Sequence, residues 1–338
     1  MQQRQKRTAL VLSGGGARGS YQVGALKAIA HIQPDGGMNP FDIICGTSAG
    51  ALNASMLACE SDHYGHAVKR LETLWQNLQS DQIHKVGYTQ LLKSTLRLFF
   101  SFFRNGIASG AASALLDNEP LRKLLSTEVD FDKLDEHINN GRLRALCITA
   151  LAYNSGHNIS FFQGDPSIKG WRRNQRLGVG TRLTHDHLMA SSALPTIFSP
   201  VKIDHEYFGD GAIRQRAPLS AALHLGAEKL FVVGVSYHEK EQEESQKPII
   251  HTPTFAQIAG HLLNSSFIDA MDEDIEMLEK FNFISRYLSS DQLTAANIRP
   301  IDVLTITPSI KFDEIAAKHI STLPLSMRTF FKTIGATS

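Results

Sequence analysis

Short apolar runs alternate along this chain with longer segments whose apolar residues recur at helical spacing. Runs at 8–13, 41–45, 143–150, 157–162, 201–208, 229–236 and 301–307 are continuous enough in Val, Ile, Leu and Phe to predict strands. Between them, residues 20–31, 49–60, 65–79, 119–126, 185–192, 216–225 and 254–281 carry helical patterning. Strand and helix taking turns in this way predict a layered α/β fold with a mostly parallel central sheet. The stretch 238–248 (HEKEQEESQKP) is charged and nearly free of apolar residues, which predicts a solvated surface loop. No internal repeat and no domain linker interrupts the pattern.

Composition narrows this picture only a little. A chain of 338 residues is long enough to bury a sizeable core, and 42% hydrophobic with 20% charged residues is ordinary for a globular protein. Lys plus Arg (34) nearly balances Asp plus Glu (33), so the net charge of +1 gives no footing for a nucleic-acid partner. Three cysteines, Cys45, Cys59 and Cys147, are odd in number and widely spaced, which suits buried thiols in a reducing cytoplasm. The apolar run after the basic N-terminus is too short for a signal peptide, and no stretch has the length of a spanning helix. A cytoplasmic protein is expected, with any membrane contact peripheral.

Three short motifs carry chemistry. Gly46-Thr47-Ser48-Ala49-Gly50 follows the strand at 41–45 and precedes a helix, the setting of a nucleophile elbow. Such a turn is tight, and Gly46 and Gly50 keep side chains out of it, while the helix N-terminus behind Ser48 favours developing negative charge. Gly14-Gly15-Gly16-Ala17-Arg18-Gly19 also joins a strand to a helix. Gly14, Gly16 and Gly19 satisfy a dinucleotide fingerprint, and the same loop could instead offer backbone N–H groups to an oxyanion. The first use wants an acidic residue at the end of the second strand. That strand ends at Cys45 and runs into the serine elbow, while Asp35 lies in the preceding loop, which favours the oxyanion use. The third motif is Asp210-Gly211-Ala212, a common turn sequence that gains weight only beside the other two.

Together and in this order, GGGARG at 14–19, GTSAG at 46–50 and DGA at 210–212 resemble the patatin-like phospholipase family. The run ASSALPTIFSPV at 190–201 and the segment LDNEPLRKLL at 116–125 are similar to regions of that family, and the resemblance spans roughly residues 8–236. It implies a three-layer α/β/α fold, with a catalytic core at 5–236 and a C-terminal extension at 237–335. The extension would pack on the same domain, mostly helical with one further strand. It also implies a lipid acyl hydrolase with Ser48 as nucleophile and Asp210 as general base. Gly14, Gly15 and Gly16, with Arg18 beside them, correspond to the oxyanion segment, and Gly19, Gly46, Gly50 and Gly211 support the motifs. No cofactor and no metal enter this scheme. An unperturbed aspartate near pKa 3.9 is a poor base at neutral pH, so the site must tune Asp210 by burial or by strong oxyanion stabilisation.

Two other readings stay open. One is an α/β-hydrolase-type esterase with a histidine base, and the other is a nucleotide-binding module built on residues 14–19. His185-Asp186-His187 could supply such a base or a metal pair, or be a helix start capped by Thr184. Phe99, Phe100, Phe102 and Phe103, set between Arg97 and Arg104, fit an acyl-chain wall or membrane-facing surface, or a core helix. Lys169, Trp171, Arg172, Arg173 and Arg176 form a second basic stretch, most simply a solvated loop.

Overall fold

The computed structural model describes residues 6–33, 37–78, 118–195, 197–237, 269–296, 298–319 and 328. The first apolar run forms strand β1 (Thr8–Leu12), with four of its five residues buried. It lies at the middle of five parallel strands in the spatial order β10 (Asp302–Ile306), β9 (Lys229–Val233), β1, β2 (Ile43–Thr47) and β3 (Ala145–Ala152). Val11 stands opposite Cys45 on one side and Val232 on the other. Every residue of β2 and β3 is buried. Strands covered on both faces need apolar residues in both alternating positions, hence continuous runs in the sequence.

Successive residues of these strands feed two separate cores. Leu10, Leu12, Ile44, Leu146 and Ile148 meet helices α1 (Gly19–Ile32), α2 (Ala49–Cys59) and α3 (Tyr64–Asn77) on one face. Helices α4 (Glu119–Glu128), α5 (Lys133–Asn139) and α6 (His185–Ser191) add Leu125, Leu134 and Leu188 to the same core. Ala9, Val11, Ile43, Cys45 and Cys147 point the other way, against α7 (Ser220–Leu225) and Met271 of α8 (Asp269–Ser285). The result is three layers with helices on both sides of the sheet. Helix α2 is buried at ten of its eleven positions, which its uncharged sequence AGALNASMLAC allows, with the polar Asn53 and Ser55 hydrogen-bonded inside. Helices α9 (Ser290–Ala295) and α10 (Phe312–His319) complete the described chain.

Beyond β3 the strand direction reverses. Strand β4 (Asn158–Gly164) is antiparallel to β3, β6 (Arg176–Gly180) is parallel to β4, and β5 (Trp171–Arg173) closes that edge. Strand β8 (Glu206–Asp210) pairs antiparallel with the end of β3 and with β7 (Val201–Ile203).

Two strand regions depart from the sequence reading. The single strand expected at 201–208 is a hairpin, broken where Asp204 takes a positive φ of 53°. The basic stretch at 169–176 is not a loop throughout but forms β5 and the start of β6, joined by a turn with Asn174 at φ 38°. Trp171 anchors it by stacking on Phe162 and His224, at centroid distances of 5.4 and 4.9 Å. The aromatic segment near Phe99–Phe103, with Arg97 and Arg104, the loop at 238–248 and the helix start at 254–268 lie outside the described residues. No helix among the described residues is long and apolar enough to cross a membrane.

Candidate active site

Strand β2 ends at Thr47 and helix α2 begins at Ala49, so Ser48 alone makes the turn, at φ 55° and ψ −126°. A serine holds such a backbone only where its surroundings over-determine it. The flanking glycines explain how. A Cβ on Gly46 would lie 2.3 Å from the Gly50 carbonyl oxygen, and one on Gly50 would lie 2.3 Å from that of Leu12. Only glycine lets the helix start fold back over the strand end. Ser48 itself is almost wholly buried, at 4% exposure.

Asp210 reaches this turn through sheet register. It closes β8 opposite Ala150, which carries it to the serine from 162 residues away in sequence. Its Oδ2 accepts a hydrogen bond from Ser48 Oγ at 2.6 Å, and its Oδ1 accepts the Ala212 N–H at 2.9 Å. Gly211 passes so close to β3 that a Cβ there would sit 2.3 Å from the Thr149 carbonyl oxygen. Asp210 has no solvent exposure. Burial pushes its pKa up from 3.8 to about 7, against the opposing pull of the bonds from Ser48 and Ala212.

The glycine loop comes to the same place. Gly14 is buried two residues beyond β1, and Gly16–Arg18 form a single 3-10 turn leading into α1. Gly16 has φ 56°, while a Cβ on Gly19 would strike Ala49 and the Trp75 ring at 2.9 Å. A Cβ on Gly15 would meet Val235 Cγ2 at 2.8 Å. A buried amide network braces the loop from behind. Gln22 Nε2 donates to the Ser13 carbonyl at 2.8 Å, and Asn53 Nδ2 donates to the Gly19 carbonyl and to Gln22 Oε1, both at 3.0 Å. Trp75 Nε1 closes the set by donating to Asn53 Oδ1 at 2.8 Å. The Arg18 N–H donates to the Gly15 carbonyl at 3.1 Å, and its guanidinium lies over the Phe312 ring, 5.8 Å from the centroid.

A cavity of about 430 Å³ opens on this site. Gly16, Ala17, Ser48 and Ala49 form its polar end, and Leu52, Trp75, Leu121, Leu124 and Phe198 its apolar walls. A second cavity, of about 440 Å³, lies beyond Leu124 and does not touch Ser48. Its Arg70 is bonded to Glu60 and Glu128.

Among the described residues, the histidines His185, His187 and His224 are engaged elsewhere. His185 Nε2 faces the Val129 carbonyl at 2.8 Å, and Asp186 accepts from Arg122 at 2.6 Å. His187 Nδ1 accepts the Thr184 N–H at 3.1 Å at the start of α6, its ring against Phe161, and burial lowers its pKa. This is the capped helix start. His224 bonds the Ser220 carbonyl at 2.7 Å, while His238, His251 and His261 lie outside the described residues. Cys45 and Cys147 are register partners in the core, and the hydrogen bond with Cys147, together with burial, pushes the pKa of the Cys45 thiol up. Among the described residues no group of three or more His, Cys, Asp or Glu could hold a metal ion.

Sequence reasoning missed the amide network and Phe312, which carry no local signal. It also missed Ser191, which lies within the run at 190–201. Ser191 Oγ accepts the Ser48 N–H at 2.9 Å and donates to the Thr149 carbonyl at 2.7 Å.

A family model described as patatin-like phospholipase matches residues 10–223. The chain is 30% identical over 226 residues to a cGAMP-activated phospholipase of Vibrio cholerae, covering 64% of this chain and 56% of that protein. It is 28% identical over 229 residues to the uncharacterized protein YjjU of Escherichia coli, covering 67% and 51%. The chain thus spans about half the length of the curated relatives it matches. Among solved structures, VipD of Legionella pneumophila aligns over 91% of this chain and 63% of its own, with a TM-score of 0.41 and 13% identity. That likeness is too loose to argue from. The family match covers more than half of the chain and includes both the elbow and the aspartate that the fold brings together, so this chain belongs to the patatin-like phospholipase family.

Proposed function

We propose that the protein is a serine lipid acyl hydrolase that cleaves fatty-acyl esters of phospholipids or related lipids through a Ser48–Asp210 dyad. One observation carries the reading: the 2.6 Å bond from Ser48 Oγ to a fully buried carboxylate, at the polar end of an apolar cavity. Ser48 Oγ attacks the ester carbonyl while Asp210 takes its proton. Backbone N–H groups of Gly14, Gly15 and Gly16, with Arg18 adding positive charge, stabilise the oxyanion. The tetrahedral intermediate expels the alcohol, which leaves with the proton held by Asp210, and an acyl-enzyme remains on Ser48. Asp210 then accepts a proton from water, hydroxide adds to the acyl carbonyl, and the second collapse frees the fatty acid and returns the proton to Ser48.

The reading places the catalytic core at 5–236 and treats 237–335 as part of the same domain. The pairing of β10 with β9 and the contact of Phe312 with Arg18 support that assignment. Substrate is reached by peripheral contact with a lipid surface. Mass spectrometry of products released from a mixed lipid extract tests the whole reading, with Ser48→Ala as the control. Release of free fatty acid by the wild type alone is the expected result.

Two further outcomes follow from the site. The cycle uses a serine, a carboxylate and backbone amides, so turnover is expected to persist in EDTA; loss on chelation that calcium restores would count against it. Leu124 walls the apolar end of the cavity. Leu124→Trp is expected to reduce kcat/KM for long-chain esters about tenfold relative to short-chain esters, because it fills space the longer chain needs. An unchanged chain-length profile would remove this cavity as the acyl site.

A further inference from the structure

We infer that Ser191 is a positioning residue whose hydroxyl, set between β2 and β3, holds the backbone of Ser48 in its strained turn and so fixes the geometry of attack. The inference rests on the proposed roles of Ser48 and Asp210. Ser191 closes helix α6 and has no solvent exposure. Its hydroxyl has one proton, and the Thr149 carbonyl takes it at 2.7 Å. A lone pair is therefore what faces the Ser48 N–H, at 2.9 Å, and the direction of both bonds is set.

The location matters as much as the bonds. Thr149 is the register partner of Thr47, the last residue of β2. The hydroxyl thus bridges the two strands where the chain leaves the sheet to form the elbow. The Thr149 carbonyl is also the atom that Gly211 passes under, directly beside Asp210. Two residues beyond Ser191, the Ala193 carbonyl accepts the N–H of Asp210 at 2.9 Å. One short segment is therefore bonded to the main chain of both members of the dyad. Its neighbours Ser192 and Leu194 line the cavity that receives substrate.

Without the hydroxyl, a buried N–H and a buried carbonyl lose their common partner, and a turn at φ 55° loses its restraint. Ser48 Oγ then drifts from its place against Asp210. A misplacement of about 1 Å at reacting atoms costs roughly 10²-fold in rate.

The test is steady-state kinetics on a soluble ester, together with fluorophosphonate titration of competent serine. The variants are Ser191→Ala and the isosteric pair Ser191→Thr and Ser191→Val. Ser191→Ala is expected to lose about 10²-fold in kcat per competent site, with KM changed by less than about threefold. Ser191→Thr should exceed Ser191→Val by at least about tenfold in kcat, since the two differ in the hydroxyl and not in shape. A merely structural role would lower the melting temperature and the number of competent sites while leaving kcat per site unchanged. That outcome, or equal kcat for the Thr and Val variants, would overturn the inference. An inert Ser48→Ala beside an unaffected Ser191→Ala would reject the positioning role alone. Full turnover by folded Ser48→Ala would reject the dyad on which it rests.

Discussion

Ser48→Ala is expected to lower ester turnover by roughly 10⁴-fold or more, and Asp210→Asn by about 10³-fold or more, while both variants stay folded. The first removes the oxygen that the proposed mechanism acylates. The second acts through polarity. An asparagine at 210 keeps one oxygen for the Ala212 N–H, now accepted at 2.9 Å by Oδ1. Its amide nitrogen then points at Ser48 Oγ as a donor, where the carboxylate Oδ2 accepts at 2.6 Å. The serine proton has lost its acceptor, and attack must proceed from a neutral hydroxyl. Fluorophosphonate labelling should be absent in Ser48→Ala and slowed in Asp210→Asn to the same degree as turnover. Wild-type labelling in Asp210→Asn would mean that another group takes the proton, and a histidine base would then be the reading to pursue.

How much of this site the sequence discloses depends on how far its constraints reach. The elbow is legible because its demands are short-range: Gly46 is excluded from carrying a side chain by Gly50, four residues on, inside the same pentapeptide. The parallel strands are legible because burial on both faces writes itself as a nearly continuous apolar run, as in Ala145–Ala152, where Thr149 is the one polar residue. Asp210 is legible as part of a motif, but its contact with Ser48 depends on the pairing of β8 with β3, which no local pattern encodes. Ser191 is a still harder case. Its bonds reach 143 residues back to Ser48 and 42 back to Thr149, and a serine near a helix end is otherwise unremarkable in sequence. The β5–β6 hairpin stayed hidden for another reason. Its Arg-rich residues read as a solvated loop, and the stacking of Trp171 on Phe162, which holds the hairpin down, is a tertiary contact.

The activity of the wild type is expected to rise with pH around a midpoint near 7, the value to which burial pushes Asp210. Below it, kcat/KM should fall about tenfold per pH unit, because only the ionised carboxylate can take the serine proton. Stability should move the other way. Between pH 3.8 and about 7 the folded chain holds a proton on Asp210 that the unfolded chain has already released. The folded state thus binds more protons across that window, and stability falls as pH rises through it. At pH 8 the fold carries a buried charge at a cost on the order of a few kcal/mol, and at pH 3 it carries none. Asparagine is uncharged throughout, so Asp210→Asn should melt several degrees above the wild type at pH 8. That margin should shrink steadily on acidification and vanish below about pH 4. Melting temperatures of the two proteins across pH 4–8 decide the matter. A pH-independent difference, or an Asp210→Asn variant less stable than the wild type at pH 8, would show that burial does not hold a proton on this carboxylate in the folded chain. The expected result, a margin at pH 8 that vanishes on acidification, would make the same group both the base of the proposed hydrolase at neutral pH and the reason its fold is weaker there.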